Sequence, residues 1–91
     1  MKNQIEKFLS EDYIIFYYPN GSSYQGEFLN EKRDMMIKNG FGIQKWADGS
    51  SYVGFWKKDL ANGYGVLKFK NGYVYEGQFL DDKQCGYGVL S

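Results

Sequence analysis

The sequence predicts an all-β protein: an elongated, twisted, single-layer antiparallel meander of β-hairpins behind a short N-terminal helical or irregular segment. Three observations lead there. Aromatic residues make up 20% of the 91-residue chain, and 12 glycines stand against one proline, Pro19. Aromatics favour strands, and glycine serves tight turns and close backbone approach. The same short patterns recur along the chain in a fixed order, separated by Asn-Gly or Asp-Gly pairs, which are strong hairpin signals.

The elements follow in order. Residues 1–12 place Ile5, Phe8 and Leu9 at i, i+3, i+4 spacing, which predicts a short amphipathic turn that caps the first hairpin rather than entering a membrane. Residues 13–91 form the repeat domain. A degenerate half-repeat, 13–23, opens with Tyr13-Ile14-Ile15-Phe16-Tyr17-Tyr18, where Asp12 and Ile14 take the places of two glycines. Three repeats follow at 24–51, 52–74 and 75–91. Each begins Tyr-x-Gly-x-aromatic: Tyr24-Gln25-Gly26-Glu27-Phe28, Tyr52-Val53-Gly54-Phe55-Trp56 and Tyr75-Glu76-Gly77-Gln78-Phe79. Each continues to Gly-aromatic-Gly at Gly40-Phe41-Gly42, Gly63-Tyr64-Gly65 and Gly86-Tyr87-Gly88. The pairs Asn20-Gly21, Asp48-Gly49 and Asn71-Gly72 precede the three repeats, and these positions together account for all 12 glycines. A mere bias in composition would scatter some of them.

Tyr52 and Tyr75 lie 23 residues apart, whereas Tyr24 and Tyr52 lie 28 apart. The extra residues fall in the segment Leu29 to Asn39, read as an enlarged link. Its Met35-Met36-Ile37 suits either a loop with incidental apolar residues or a docking tip, since methionine adapts to partner surfaces.

Within the last repeat, pairing Phe79 with Gly86 sets Gly77 against Gly88 and Tyr75 against Leu90, and the middle repeat places Trp56 over Gly63. Directly opposed residues share a face, so rings lie beside positions that lack side chains. A strand glycine costs about 0.5–1 kcal/mol, which a buried aromatic worth roughly 1.5–3 kcal/mol offsets. Side-chain parity also constrains the turns. A two-residue loop at Asn71-Gly72 would put Tyr75 on the wrong face, so the loop must be odd in length or carry a glycine bulge.

The recurring Tyr-x-Gly-x-Phe/Trp, the short polar link, Gly-Tyr-Gly and Asn-Gly over residues 13–91 resemble the MORN (membrane occupation and recognition nexus) repeat. That resemblance implies a twisted sheet of hairpins and a non-catalytic scaffold or interaction module. Such modules occur in ciliary axonemes, notably radial spokes, in cytoskeletal assemblies and in membrane-contact proteins. A structural subunit of an axonemal or related cytoskeletal complex is therefore expected, with a peripheral phospholipid-binding module as the alternative.

The expected partner is a helix or extended peptide on the aromatic face, within a multiprotein complex. Tyr24, Phe28, Trp46, Tyr52, Trp56, Phe69, Tyr75 and Phe79 make that face, with Met35 and Met36 as the accessory contact. A single-layer sheet leaves one face uncovered, and large bare apolar patches mark interaction sites. The same rings also serve as the packing layer. Phe41, Ile43, Tyr64, Val66, Tyr87 and Val89 fall on the opposite face.

Other classes fit poorly. Basic and acidic residues balance at 11 each, without the basic excess that duplex nucleic acid demands. Lys32-Arg33 and Lys57-Lys58 are pairs, short of the polybasic cluster that anionic lipid recruits. The chain has no histidine, removing the commonest general base and most zinc sites. The single Cys85 allows no intrachain disulfide and has no basic neighbour to activate it. Neither a secretory signal nor a membrane-spanning run is evident. Acid pairs such as Asp81 and Asp82 read as solvated. No catalytic residue, cofactor or metal is expected, and the location expected is intracellular.

Overall fold

The computed structural model describes residues 15–32 and 35–91, and for residues 30–32, 35, 36 and 87 it describes the backbone only. The N-terminal segment 1–12, with its amphipathic turn, and Tyr13-Ile14 of the half-repeat lie outside the described residues. Seven strands form one open antiparallel sheet in chain order: β1 (Phe16–Tyr17), β2 (Ser23–Lys32), β3 (Met35–Lys45), β4 (Ser51–Lys57), β5 (Leu60–Lys68), β6 (Val74–Leu80) and β7 (Lys83–Leu90). It measures 38 × 25 × 23 Å. The meander is all-strand, unclosed and without helix among the described residues.

A column of glycines crosses six strands: Gly26, Gly42, Gly54, Gly65, Gly77 and Gly88 oppose one another in turn. Each hairpin is irregular just beyond this column. Gly54 pairs with Gly65, but Trp56 pairs with Ala61, so the returning strand carries two extra residues. The other hairpins match, with Phe28 on Lys38 and Phe79 on Gln84. The bulge needs positive φ, which Gly63 supplies at +103°.

This corrects the pairing expected within repeats. Trp56 does not face Gly63, nor Phe79 Gly86. The glycine opposite each ring comes from the preceding repeat instead: Gly40 faces Trp56, and Gly63 faces Phe79. Two extra residues preserve side-chain parity, so the faces came out as expected although the partners did not.

The turns between repeats have odd length, as parity required. Phe69 N–H donates to Tyr73 O, leaving Lys70-Asn71-Gly72 as a three-residue loop with Gly72 at φ +96°. The same closure joins Trp46 to Ser50 and Tyr18 to Ser22. In each loop the Asn or Asp carbonyl or carboxylate oxygen accepts a backbone N–H two residues on, as at Asp48 to Ser50 (2.9 Å).

The turns within repeats are two-residue loops at Lys58-Asp59 and Asp81-Asp82, all four at positive φ. The enlarged first link is corrected outright. Its described residues are strand: Lys32 pairs with Met35, and the additional residues lengthen the β2–β3 hairpin.

Candidate partner-binding trough

The sheet curls around its own aromatic rings. Tyr24, Tyr52, Trp56, Tyr75 and Phe79 are buried with Ala61 in one cluster, against which Tyr18, Leu67 and Phe69 pack. The rings meet edge to face, Tyr52 touching Trp56 at 4.9 Å and Phe79 at 5.0 Å between centroids. That geometry suits the aromatic quadrupole. Tyr52 and Phe79 belong to different repeats, so the cluster ties one repeat to the next. The expectation of a bare aromatic face is corrected here: twist and curl let the layer cover much of itself.

Each repeat tyrosine lies across the second glycine of the neighbouring Gly-aromatic-Gly. A Cβ on Gly65 would come within 2.5 Å of Tyr52 Cε1. The ring then reaches over to donate its hydroxyl to the backbone: Tyr24 to Glu27 O, Tyr52 to Phe55 O and Tyr75 to Gln78 O. Trp56 Nε1 donates to Gly42 O at 3.2 Å.

Burial of these phenols has an electrostatic consequence. It pushes Tyr52 up to about 12, and raises Tyr24 further, with the Glu27 carboxylate adding to the effect. A tyrosine whose folded pKa lies above its unfolded value of 10.0 contributes stability that is full below that pH. The contribution is lost as pH rises through the folded value. Alkaline unfolding is therefore expected between about pH 10 and 12. Tyrosinate absorbance and circular dichroism should change together there, and Tyr52→Phe should flatten the dependence. Tyrosinate appearing with ordinary titration before any loss of structure would contradict this.

What stays open is the rim. Trp46 is 37% exposed and Phe28 43%, the latter edge-on to Phe16 at 5.6 Å. Three adjoining clefts of about 660, 390 and 340 Å3 share Trp46 as a wall. The largest adds Leu67, Phe69 and Ala47; the others add Tyr18, Gln44, Trp56 and Phe79. Lys38 stands in the trough with Nζ 4.4 Å from the Trp56 ring centroid and 3.2 Å from Gln44 Oε1. Burial lowers its pKa, while Asp59 and Asp82 work against that lowering. The trough thus combines apolar walls with charged groups, Lys38, Asp59 and Asp82 in the two smaller clefts and Asp48 and Lys70 along the largest. Among the described residues no group of acids, cysteines or histidines is arranged to hold a metal. Met35 and Met36 lie on β3, their side chains outside the described residues.

Sequence reasoning missed the residues that join the repeats. Asp59 Oδ1 accepts Lys38 N–H (2.8 Å) while Asp59 N–H donates to Lys38 O (2.8 Å). Asp82 does the same to Ala61, at 2.7 and 2.9 Å. Asn39 and Asn62 add side-chain bonds to Lys58 and Asp81. The tips of the β4–β5 and β6–β7 hairpins therefore each clasp the main chain of the preceding hairpin. Asp82 is not a merely solvated acid. The recurrence of Asp at the same offset after the repeat tyrosine was the available signal.

An open sheet of like hairpins, each joined to its neighbours alone, defines a repeat protein. Comparison with known families finds the MORN repeat at residues 37–51, 52–72 and 75–91, and the chain belongs to that family. The MORN repeat is a non-catalytic module, often engaged in protein or membrane interactions. No curated protein matches the chain.

Proposed function

We propose that this chain is a non-catalytic protein-binding module that receives an apolar helix or extended peptide in the trough around Trp46. The observation behind this reading is the position of Trp46. It is a large aromatic left partly exposed where three clefts meet, flanked by the buried rings that hold the walls rigid. Partly exposed tryptophans in such settings are common binding hot spots. Lys38, Asp59 and Asp82 give the trough polar groups to orient a ligand. Family resemblance points further, to a structural subunit of an axonemal or related cytoskeletal assembly.

A photo-crosslinking amino acid at position 46, compared with one at Tyr64 on the opposite face, tests the reading in cells. Crosslinks to a defined protein are expected from position 46 and not from 64. Trp46→Ala should abolish recovery of that protein while lowering the melting temperature by only a few degrees, because the ring is at the rim. Crosslinking from position 64 alone would sink the proposal. Sedimentation of the chain with mixed acidic and neutral liposomes at physiological salt, together with no protein crosslink, would favour the phospholipid-binding alternative.

A further inference from the structure

Tyr18, Trp46 and Phe69 each donate the backbone N–H that closes one of the turns before the repeats. They lie two residues beyond Phe16, Gln44 and Leu67, which oppose the repeat tyrosines, so parity puts all three rings on the aromatic face. Tyr18 and Phe69 pack against the buried cluster, while Trp46 stays 37% exposed. Tyr18 and Trp46 wall the cleft of about 390 Å3, and Trp46 and Phe69 wall that of about 660 Å3. The rim is thus a row in which rings and clefts alternate.

This row has a period. Equivalent rings stand two strands apart, which at about 4.8 Å per strand is roughly 9.6 Å. Curling of the sheet around its rings shortens that interval at their tips. A ligand lying across the strands must offer one side chain per interval. A β-strand presents same-face residues at about 6.8 Å and about 13.6 Å, and so misses the second cleft. An α-helix returns a face after seven residues, about 10.5 Å, with i+3 and i+4 side chains between that would strike the Trp46 ring. Polyproline II turns once in three residues and advances about 9.3 Å, so it returns the same face at each cleft with nothing between.

Charge points the same way. Each of the two clefts carries one acid and one base, Asp59 with Lys38 and Asp48 with Lys70, a balance that suits an uncharged ligand. Among the described residues the Trp46 indole N–H has no acceptor, whereas that of Trp56 is bonded to Gly42 O. Polyproline II makes no internal hydrogen bonds, and its carbonyls are open to such a donor.

We infer that the trough takes an uncharged, proline-rich polyproline II segment of a partner protein, with apolar residues at i and i+3 entering the two clefts on either side of Trp46. This assignment rests on the trough being the binding site and names the class of ligand. Aromatic-lined grooves recognise such segments because the ligand is already extended and loses little freedom on binding.

The test titrates the full 91-residue chain into fluorescein-labelled Leu-Pro-Pro-Leu-Pro-Pro-Leu, followed by fluorescence anisotropy. Saturable binding is expected. The control Leu-Pro-Pro-Pro-Leu-Pro-Pro-Pro-Leu keeps the conformation but rotates successive leucines by about 120°. It should bind roughly tenfold or more weakly, because only one cleft is filled at a time. Trp46→Ala should abolish binding. Trp46→Phe keeps a wall and deletes the N–H, and should weaken binding about threefold to tenfold. Thermal melts of both variants report the folded state. No binding of the first peptide, equal binding of the two peptides, or binding unchanged by Trp46→Ala would overturn the inference. An amphipathic helical peptide of alanine, leucine and lysine that binds instead, and is lost in Trp46→Ala, would overturn it while leaving the trough as the site. Crosslinking from position 64 alone would remove the trough as well.

Discussion

Trp56→Ala is expected to remove a third or more of the stability of this protein. Trp56 is 5% exposed and touches Tyr24 and Tyr52 edge to face at 5.9 and 4.9 Å. Its Nε1–H satisfies the Gly42 carbonyl, and its ring seats the Lys38 ammonium. Truncating a buried tryptophan costs about 3–5 kcal/mol. A domain of this length has on the order of 5–14 kcal/mol in total. The variant also removes the nearer of the two rings beside Lys38 and one donor to the Gly42 carbonyl. Urea denaturation followed by circular dichroism should show the midpoint falling by a third or more at similar slope. A midpoint near that of the parent would mean that the rings do not act as one packed cluster.

The second large effect is expected from adding a single methyl group. Gly65→Ala places a Cβ within 2.5 Å of Tyr52 Cε1 and against its hydroxyl. Overpacking a well-filled site costs about 1–3 kcal/mol. Here the Tyr52 ring cannot move aside without breaking its 2.9 Å bond to Phe55 O and its contact with Phe79. A melting temperature lower by roughly 10–20 °C is expected, at about 4–8 °C per kcal/mol for a domain of this size. Gly72→Ala makes the informative comparison, because a Cβ there meets nothing within 4 Å and the only strain is its φ of +96°. The cost should be about 1–2 kcal/mol. Equal losses at the two sites would show that glycine serves backbone conformation at both, and that the tyrosine needs no notch.

Much of this architecture was legible because glycine and side-chain parity are strict constraints. The register of the 12 glycines, the hairpin meander and the odd-length turns followed from spacing alone. The choice of neighbour did not. Gly-aromatic-Gly strands lie between two Tyr-x-Gly-x-aromatic strands, one from their own repeat and one from the next, and periodicity does not say which pairs without interruption. A bulge of two residues hides in such a pattern because it returns every side chain to its original face. Burial was misjudged for a different reason. A flat sheet would expose Tyr52 and Tyr75, but curvature brings rings of successive repeats into contact, and curvature is not written in a period of two. The clasps escaped notice because Asp59 and Asp82 sit in short polar turns, where acids are commonplace. Of the candidate binding residues, Trp46 emerged as the wall of a trough only once the turns preceding the repeats were placed side by side.

The clasp has a further consequence for how such chains change length. Lys38 and Ala61 share no side-chain chemistry, yet each is held by the same two main-chain bonds to an aspartate. Recognition that ignores the acceptor's side chain does not require the two halves of a joint to mutate in concert. A unit copied into the array meets a compatible neighbour on either side from the moment it is duplicated. Gain or loss of whole units is thereby less constrained than substitution at any one glycine within them.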